Sequence, residues 1–182
     1  MKKLDYVLQE YRYRVVEPFI HEGCQLLDIG GFDGSFLVRI KHIIGYGICI
    51  DPLIEEKNDG NLMFIRSSVD RKIPFPDASF DIVTMLAVYE HLGSYRLDLT
   101  KEISRVLRNN GLVVLTVPGH AVNTIVHILK KIRVIDGMSL EQHDDFNADD
   151  TIKIFETSGF KTIRRSTFQC GFNNLFVFKK LQ

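Results

Sequence analysis

The sequence predicts an α/β protein built on a doubly wound, mostly parallel seven-stranded sheet that closes with a C-terminal antiparallel hairpin. Three observations carry this expectation. Short apolar runs rich in branched residues recur along the chain, helix-length amphipathic segments separate several of them, and the last two runs are joined by a link too short for a parallel crossover. Strand alternating with helix calls for a parallel sheet covered on both faces, and the right-handed crossover makes it doubly wound.

The elements follow in order. A helix is expected at about 4–21, containing EYRYRVVEPFI with Tyr11, Arg12 and Arg14. Strands are expected at QLLDI (25–29), YGICI (46–50), LMFI (62–65), FDIVTMLA (80–87) and LVVLTV (112–117), each bounded by glycine, proline or aspartate. SFLVRIKHI follows the first strand as a helix. In LDLTKEISRVLRNNG, Leu99, Ile103, Val106 and Leu107 share a helical face, with Gly111 just past its end. An extra helical segment at about 120–136, AVNTIVHILKKIRVIDG within it, packs on the core by default; a lid, a substrate wall or a homodimer face are the alternatives. ADDTIKIFETSG is the last helix, and FKTIRRSTF and NNLFVFKK, joined by QCGF, form the hairpin.

The 182 residues suit one domain, 1–182, with a sizeable core, and no repeat or linker marks a boundary. The 23 basic residues equal the 23 acidic ones, so no nucleic-acid partner is expected. No apolar run is long enough for a membrane span. Cys24, Cys49 and Cys170 lie far apart, which argues against a disulfide framework and fits a reducing, cytoplasmic setting.

The densest signal is LLDIGGFDGSF at 26–36. In an open parallel sheet, ligands bind beyond the carboxyl ends of the strands, and the turn after the first strand floors the site. Gly30, Gly31 and Gly34 fall in that turn. Asp51 ends the second strand, about 20 residues on, where a carboxylate would accept hydrogen bonds from both ribose hydroxyls of an adenosine. Asp28 selects the cofactor: a carboxylate beneath a pyrophosphate would repel it, but would attract an ammonium or sulfonium. The G-x-G-x-x-G fingerprint of dinucleotide sites is also missing.

At these residues the sequence resembles the class I S-adenosylmethionine-dependent methyltransferases of the small-molecule type, whose sheet is Rossmann-like. The resemblance runs from about Leu26 to Lys180, through LLDIGGFDG, ICIDP, IPFPDASFDIVTMLAVYEHL, EISRVLRNNGLVVLTVP and the SGF before the hairpin. It implies S-adenosyl-L-methionine as cofactor, with Asp28 near the methionine amino group and Gly30, Gly31 and Gly34 as the floor. It further implies Asp51 on the ribose, Pro52 and Leu53 beside the adenine, and main-chain carbonyls at Leu86 and Ala87 on its amino group. Phe32 stands where the family usually has a glycine, so its side chain must turn away or narrow the site. The acid that the family tends to place against the adenine amino group would fall on Val69; Asp70, one residue on, is the candidate, with Ser68 or a backbone carbonyl as alternatives.

Methyl transfer from a sulfonium is an in-line displacement, so alignment and exclusion of water dominate; a hydroxyl or ammonium acceptor also needs a base. His91 in YEHL is the first candidate base, His120 second and His143 third. Tyr89 and Glu90 share the same turn, and the alternative is that the triplet only supports the loop. His21, His42 and His127 fall on helices, and the scattered histidines form no zinc motif, so no metal is expected. The expected activity is methyl transfer to a small-molecule or carrier-bound acceptor, with a sugar or glycan precursor as the weakest-founded detail. The alternatives are a non-catalytic cofactor-binding module and, further off, an NAD-dependent oxidoreductase.

Overall fold

The computed structural model describes residues 3–69, 71–119 and 147–182, with residues 3 and 4 as backbone alone. Its centre is one sheet: β1 (Gln25–Ile29), β2 (Tyr46–Asp51), β3 (Lys57–Asp59), β4 (Leu62–Arg66), β5 (Phe80–Leu86), β6 (Leu107–Pro118), β7 (Phe160–Phe168) and β8 (Asn173–Lys180). The strand order is β3-β4-β2-β1-β5-β6-β8-β7. β4, β2, β1, β5 and β6 pair in parallel, and β8 runs antiparallel between β6 and β7.

The sheet therefore has eight strands, against the seven expected. The additional one is β3, which pairs antiparallel with β4 (Lys57 opposite Phe64, Asp59 opposite Leu62). All three of its residues, Lys-Asn-Asp, are exposed, so it carries no apolar pattern that a sequence reading could detect. Its polar residues also blunt the edge of the sheet against pairing with another chain.

Successive residues of β1 point to opposite faces, as a strand requires. Leu26 packs beneath the N-terminal helix α1 (Lys3–Val16), whose Tyr13 and Val16 join Phe36, Leu37 and Ile40 of α2 (Ser35–Ile40). Leu27 and Ile29 face the other layer, with Leu99, Ile103 and Val106 of α3 (Arg96–Val106) and Phe155 of α4 (Ala148–Thr157). α1 ends at Val16 and continues as a 3-10 turn at Glu17–Phe19, with Pro18 in its first turn. α4 starts at Asn147, whose side chain accepts from the Asp149 amide.

The second layer is held by aromatic rings. Phe155 stacks on Phe178 at 4.2 Å, meets Phe160 edge-on at 5.2 Å and lies 5.5 Å from Tyr89. Each such pair adds to area burial. Phe155→Ala is expected to cost about 3–5 kcal/mol, since three rings lose a common neighbour. Urea unfolding checks this, with a reduced midpoint and unchanged slope as the expected result.

Candidate active site

The strand order reverses between β1 and β5: β2 and β4 lie to one side of β1, and β6 follows β5 on the other. The crevice beyond the carboxyl ends of β1 and β5 is thus the switch point where ligands lodge in such sheets. Asp28 and Thr84 are register partners there. Thr84 Oγ1 donates to Asp28 Oδ1 at 2.6 Å, and Cys49 Sγ, on β2, lies 4.0 Å from Oδ2.

Asp28 is fully buried, and its carboxyl is pushed up to about 7. Desolvation is the chief cause and the Asp51 charge adds to it, while the Thr84 hydrogen bond opposes both. Burial pushes the Tyr13 hydroxyl up to about 12, and the Asp28 charge adds to the rise.

The glycines are here for three different reasons. Gly30 has φ of +74° and a Cβ on it would strike Val88 in the turn after β5. Gly34, also at +74°, would drive a Cβ into the Phe64 ring. Gly31 has ordinary φ, but a Cβ would overlap Asp28 Oδ2 and Cys49 Sγ, so only glycine lets the loop lie on the buried carboxylate. Phe32 adopts φ of 53° and is 46% exposed. That backbone angle costs a side-chain-bearing residue about 1 kcal/mol, consistent with the expectation of glycine at this position.

Asp51 holds the loop. Its Oδ2 accepts from the Phe32 amide at 2.9 Å and Oδ1 from the Leu53 amide at 2.8 Å. Each carboxylate oxygen retains a further lone pair for a ligand hydroxyl. Pro52 and Leu53 are exposed beside it, an apolar pair presented to solvent. Val69 is buried in the core and Ser68 is exposed.

The opposite wall is the turn after β5. Leu86 and Ala87 are half-buried, and Ala87 has φ of 61° with its amide held by Thr116 O at 2.9 Å. A left-handed alanine is strained and persists where the surroundings impose it. Tyr89–Tyr95 then form a 3-10 turn kinked at Gly93. Arg96 clamps it, donating from Nη2 to Glu90 O at 2.8 Å and from Nε to Tyr89 O at 3.3 Å. Tyr89 is buried with its hydroxyl 3.0 Å from Thr100 Oγ1.

His91 is exposed on this turn, whereas Glu90 is buried with Oε2 lacking any hydrogen-bond partner. Burial pushes the Glu90 carboxyl up to about 7. Its backbone hydrogen bond and the Arg12 and Arg96 charges oppose that rise. The sequence reading weighted the histidine; the carboxylate beside it is the group deprived of water.

Asp28, Gly30, Gly31, Gly34, Asp51, Pro52 and Leu86 are thus gathered on one edge of the sheet. Asp70, His120 and His143, with the helical segment expected at about 120–136, lie outside the described residues. Among the described residues no group of three or more His, Cys, Asp or Glu is arranged to hold a metal ion, and no helix is long and apolar enough to cross a membrane.

Comparison with known proteins follows the same residues. The family model of a methyltransferase domain matches residues 27–115. A protein of Encephalitozoon cuniculi, named as a methyltransferase, is 36% identical over 97 residues, 52% of this chain and 45% of its own length. A ubiquinone/menaquinone biosynthesis C-methyltransferase of Pseudomonas fluorescens is 25% identical over 114 residues, 55% of this chain and 44% of its own. The chain thus spans less than half the length of these two relatives. An Aquifex aeolicus SAM-dependent methyltransferase superposes with a TM-score of 0.70 at 17% identity, over 93% of this chain and 89% of the other. A structure of the Haloferax volcanii Trm112 methyltransferase activator in complex with a methyltransferase gives 0.69 at 16% identity, over 100% and 99%.

Asp28 has a testable signature in pH. Its carboxyl binds protons more tightly in the folded chain than its unfolded value of 3.8, so stability falls as pH rises from about 4 to 7. Each decade is worth about 1.4 kcal/mol, which makes the full effect on the order of 4 kcal/mol. Ligand-free Asp28→Asn is expected to gain stability over the parent at pH 8 and to match it near pH 4, as read by urea titration at both values. Equal stability at pH 8 would show that the carboxylate is not desolvated.

Proposed function

We propose that the chain carries a methyltransferase domain of the class I, S-adenosylmethionine-dependent family and transfers a methyl group from S-adenosyl-L-methionine to a small-molecule or carrier-bound acceptor, a reading that the match of residues 27–115 to a methyltransferase-domain model supports. The observation that carries the reading is the buried Asp28 under a loop of glycines, with Asp51 at the end of the neighbouring strand holding that loop by the Phe32 amide. A carboxylate so desolvated favours a cationic ligand and repels a pyrophosphate, which speaks against a nicotinamide dinucleotide.

In this reading Asp28 receives the methionine ammonium, and Asp51 accepts from the ribose hydroxyls with the lone pairs left by Phe32 and Leu53. Gly30, Gly31 and Gly34 let the cofactor lie on the main chain. Pro52 and Leu53 cover one side of the adenine, while Leu86 and Ala87 supply carbonyls; Asp70 is the proposed partner of its amino group. S-adenosylmethionine held there would supply the methyl group, and the turn after β5 would align the acceptor and exclude water. His91, His120 and His143 remain the proposed bases. Glu90 joins them because a carboxyl near 7 can accept a proton at neutral pH. A sugar or glycan precursor as acceptor, a homodimer and a cytoplasmic setting belong to the same proposal.

Calorimetry is expected to give micromolar binding of both S-adenosylmethionine and S-adenosylhomocysteine and none of NAD; binding of NAD alone reverses the assignment. Incubation of the enzyme and cofactor with sugar nucleotides, amines and phenols, read by a one-methyl mass gain, is expected to identify the acceptor class.

A further inference from the structure

Two large apolar side chains stand exposed just beyond the carboxyl ends of β1 and β2. Phe32 is 46% exposed and Leu53 is 72% exposed. Among the described residues, neither packs into either layer of the core. Both are anchored by their main chain to one group, since Asp51 accepts from the Phe32 amide through Oδ2 and from the Leu53 amide through Oδ1. A single carboxylate therefore sets two apolar residues at its own rim.

Phe32 is held at an angle it disfavours. Its φ of 53° is left-handed, a region that a bulky side chain enters only where the surroundings impose it. Glycine or asparagine would occupy that angle with less strain. Core packing does not offset the strain, so the ring calls for a role outside the core.

The place of Phe32 in the chain suggests that role. Gly31 lies on Asp28, where a Cβ would overlap Oδ2, and the next amide along the chain reaches Asp51. The peptide between Gly31 and Phe32 thus spans the interval between the two carboxylates. In the cofactor reading the same interval is crossed by the 5′-carbon and the sulfur that link the ribose to the amino acid. An apolar ring beside that link favours carbon and sulfur, and it leaves a hydroxyl there without a hydrogen-bond partner.

We propose that Phe32 determines specificity at the 5′ position of the cofactor: its ring closes with Leu53 over the nucleoside held at Asp51 and selects a sulfur substituent over a 5′-hydroxyl. The left-handed backbone at Phe32 is strain retained for that contact. This rests on the methyltransferase reading above.

Two nucleosides isolate the position, because 5′-methylthioadenosine and adenosine differ only in carrying a methylthio group or a hydroxyl there. Calorimetry on the full chain is expected to show methylthioadenosine bound roughly 10-fold more tightly, the scale on which an apolar pocket separates such substituents. Phe32→Asn, whose short side chain suits a left-handed backbone, is expected to lose most of that preference and to bind S-adenosylhomocysteine more weakly. Phe32→Tyr keeps the ring and is expected to keep the preference. A urea midpoint for ligand-free Phe32→Asn at or above that of the parent reports that the variant is folded and the strain relieved; a lower midpoint shows that the ring serves the fold instead and overturns the proposal. An unchanged preference in Phe32→Asn, or tighter binding of both nucleosides, also overturns it and leaves the cofactor reading standing. Failure of the parent chain to bind S-adenosylhomocysteine or either nucleoside overturns both.

Discussion

A single buried carboxylate sets the terms for the whole carboxyl edge. Asp28 sits at the end of the central parallel strand with one oxygen held by Thr84 and the other beneath Gly31. Taking a carboxylate out of water is among the costliest things a fold can do, and one hydroxyl hydrogen bond does not cancel it. The glycine floor and the second carboxylate at Asp51 make sense as arrangements around that buried group. The fold stores a demand for a cation where a ligand can supply one.

The rest of the crevice is tied so that this demand keeps its geometry. Asp51 ties the loop after β1 by the Phe32 amide and the turn after β2 by the Leu53 amide, and Arg96 fixes the turn after β5 by two carbonyls. Behind that turn, Arg105 of α3 reaches the Ile73 and Phe75 carbonyls at 2.8 Å each and pairs with Glu102 and Asp77, pinning the loop that leads into β5. Glu102 returns the favour by accepting from the Ile73 amide. Charged side chains bonded to main-chain groups hold loops well because the partner atoms cannot rotate away.

What the sequence disclosed depended on whether burial followed a period. The parallel strands and the hairpin were legible because branched apolar runs and the four-residue link QCGF leave few alternatives. β3 was not, because an exposed Lys-Asn-Asp segment carries no apolar pattern to mark it as a strand. In the site, the glycines and the two aspartates announced themselves by spacing. The burial of Glu90 beside an exposed His91 did not, since it arises from a 3-10 turn kinked at Gly93, and neither helical nor strand periodicity applies there. Within EYRYR the three candidates look alike in sequence. They separate only through their neighbours: Tyr11 stacks on Phe168, Arg14 meets Glu10 in solvent, and Arg12 turns inward. The spacing of Arg12 with Gln9, Tyr13 and Val16 was the signal available for finding it.

The bond from Gln169 to Leu8 joins residues 161 positions apart. Closing so long a loop carries a large entropic cost before any contact offsets it, so pairing of this kind comes late in folding. During synthesis α1 emerges well before the β7–β8 hairpin that receives it. The helix therefore cannot settle over the sheet until β8 has been laid against its neighbours, and a partly made chain leaves that face of the sheet uncovered. A docked α1 is thus a mark of completed assembly.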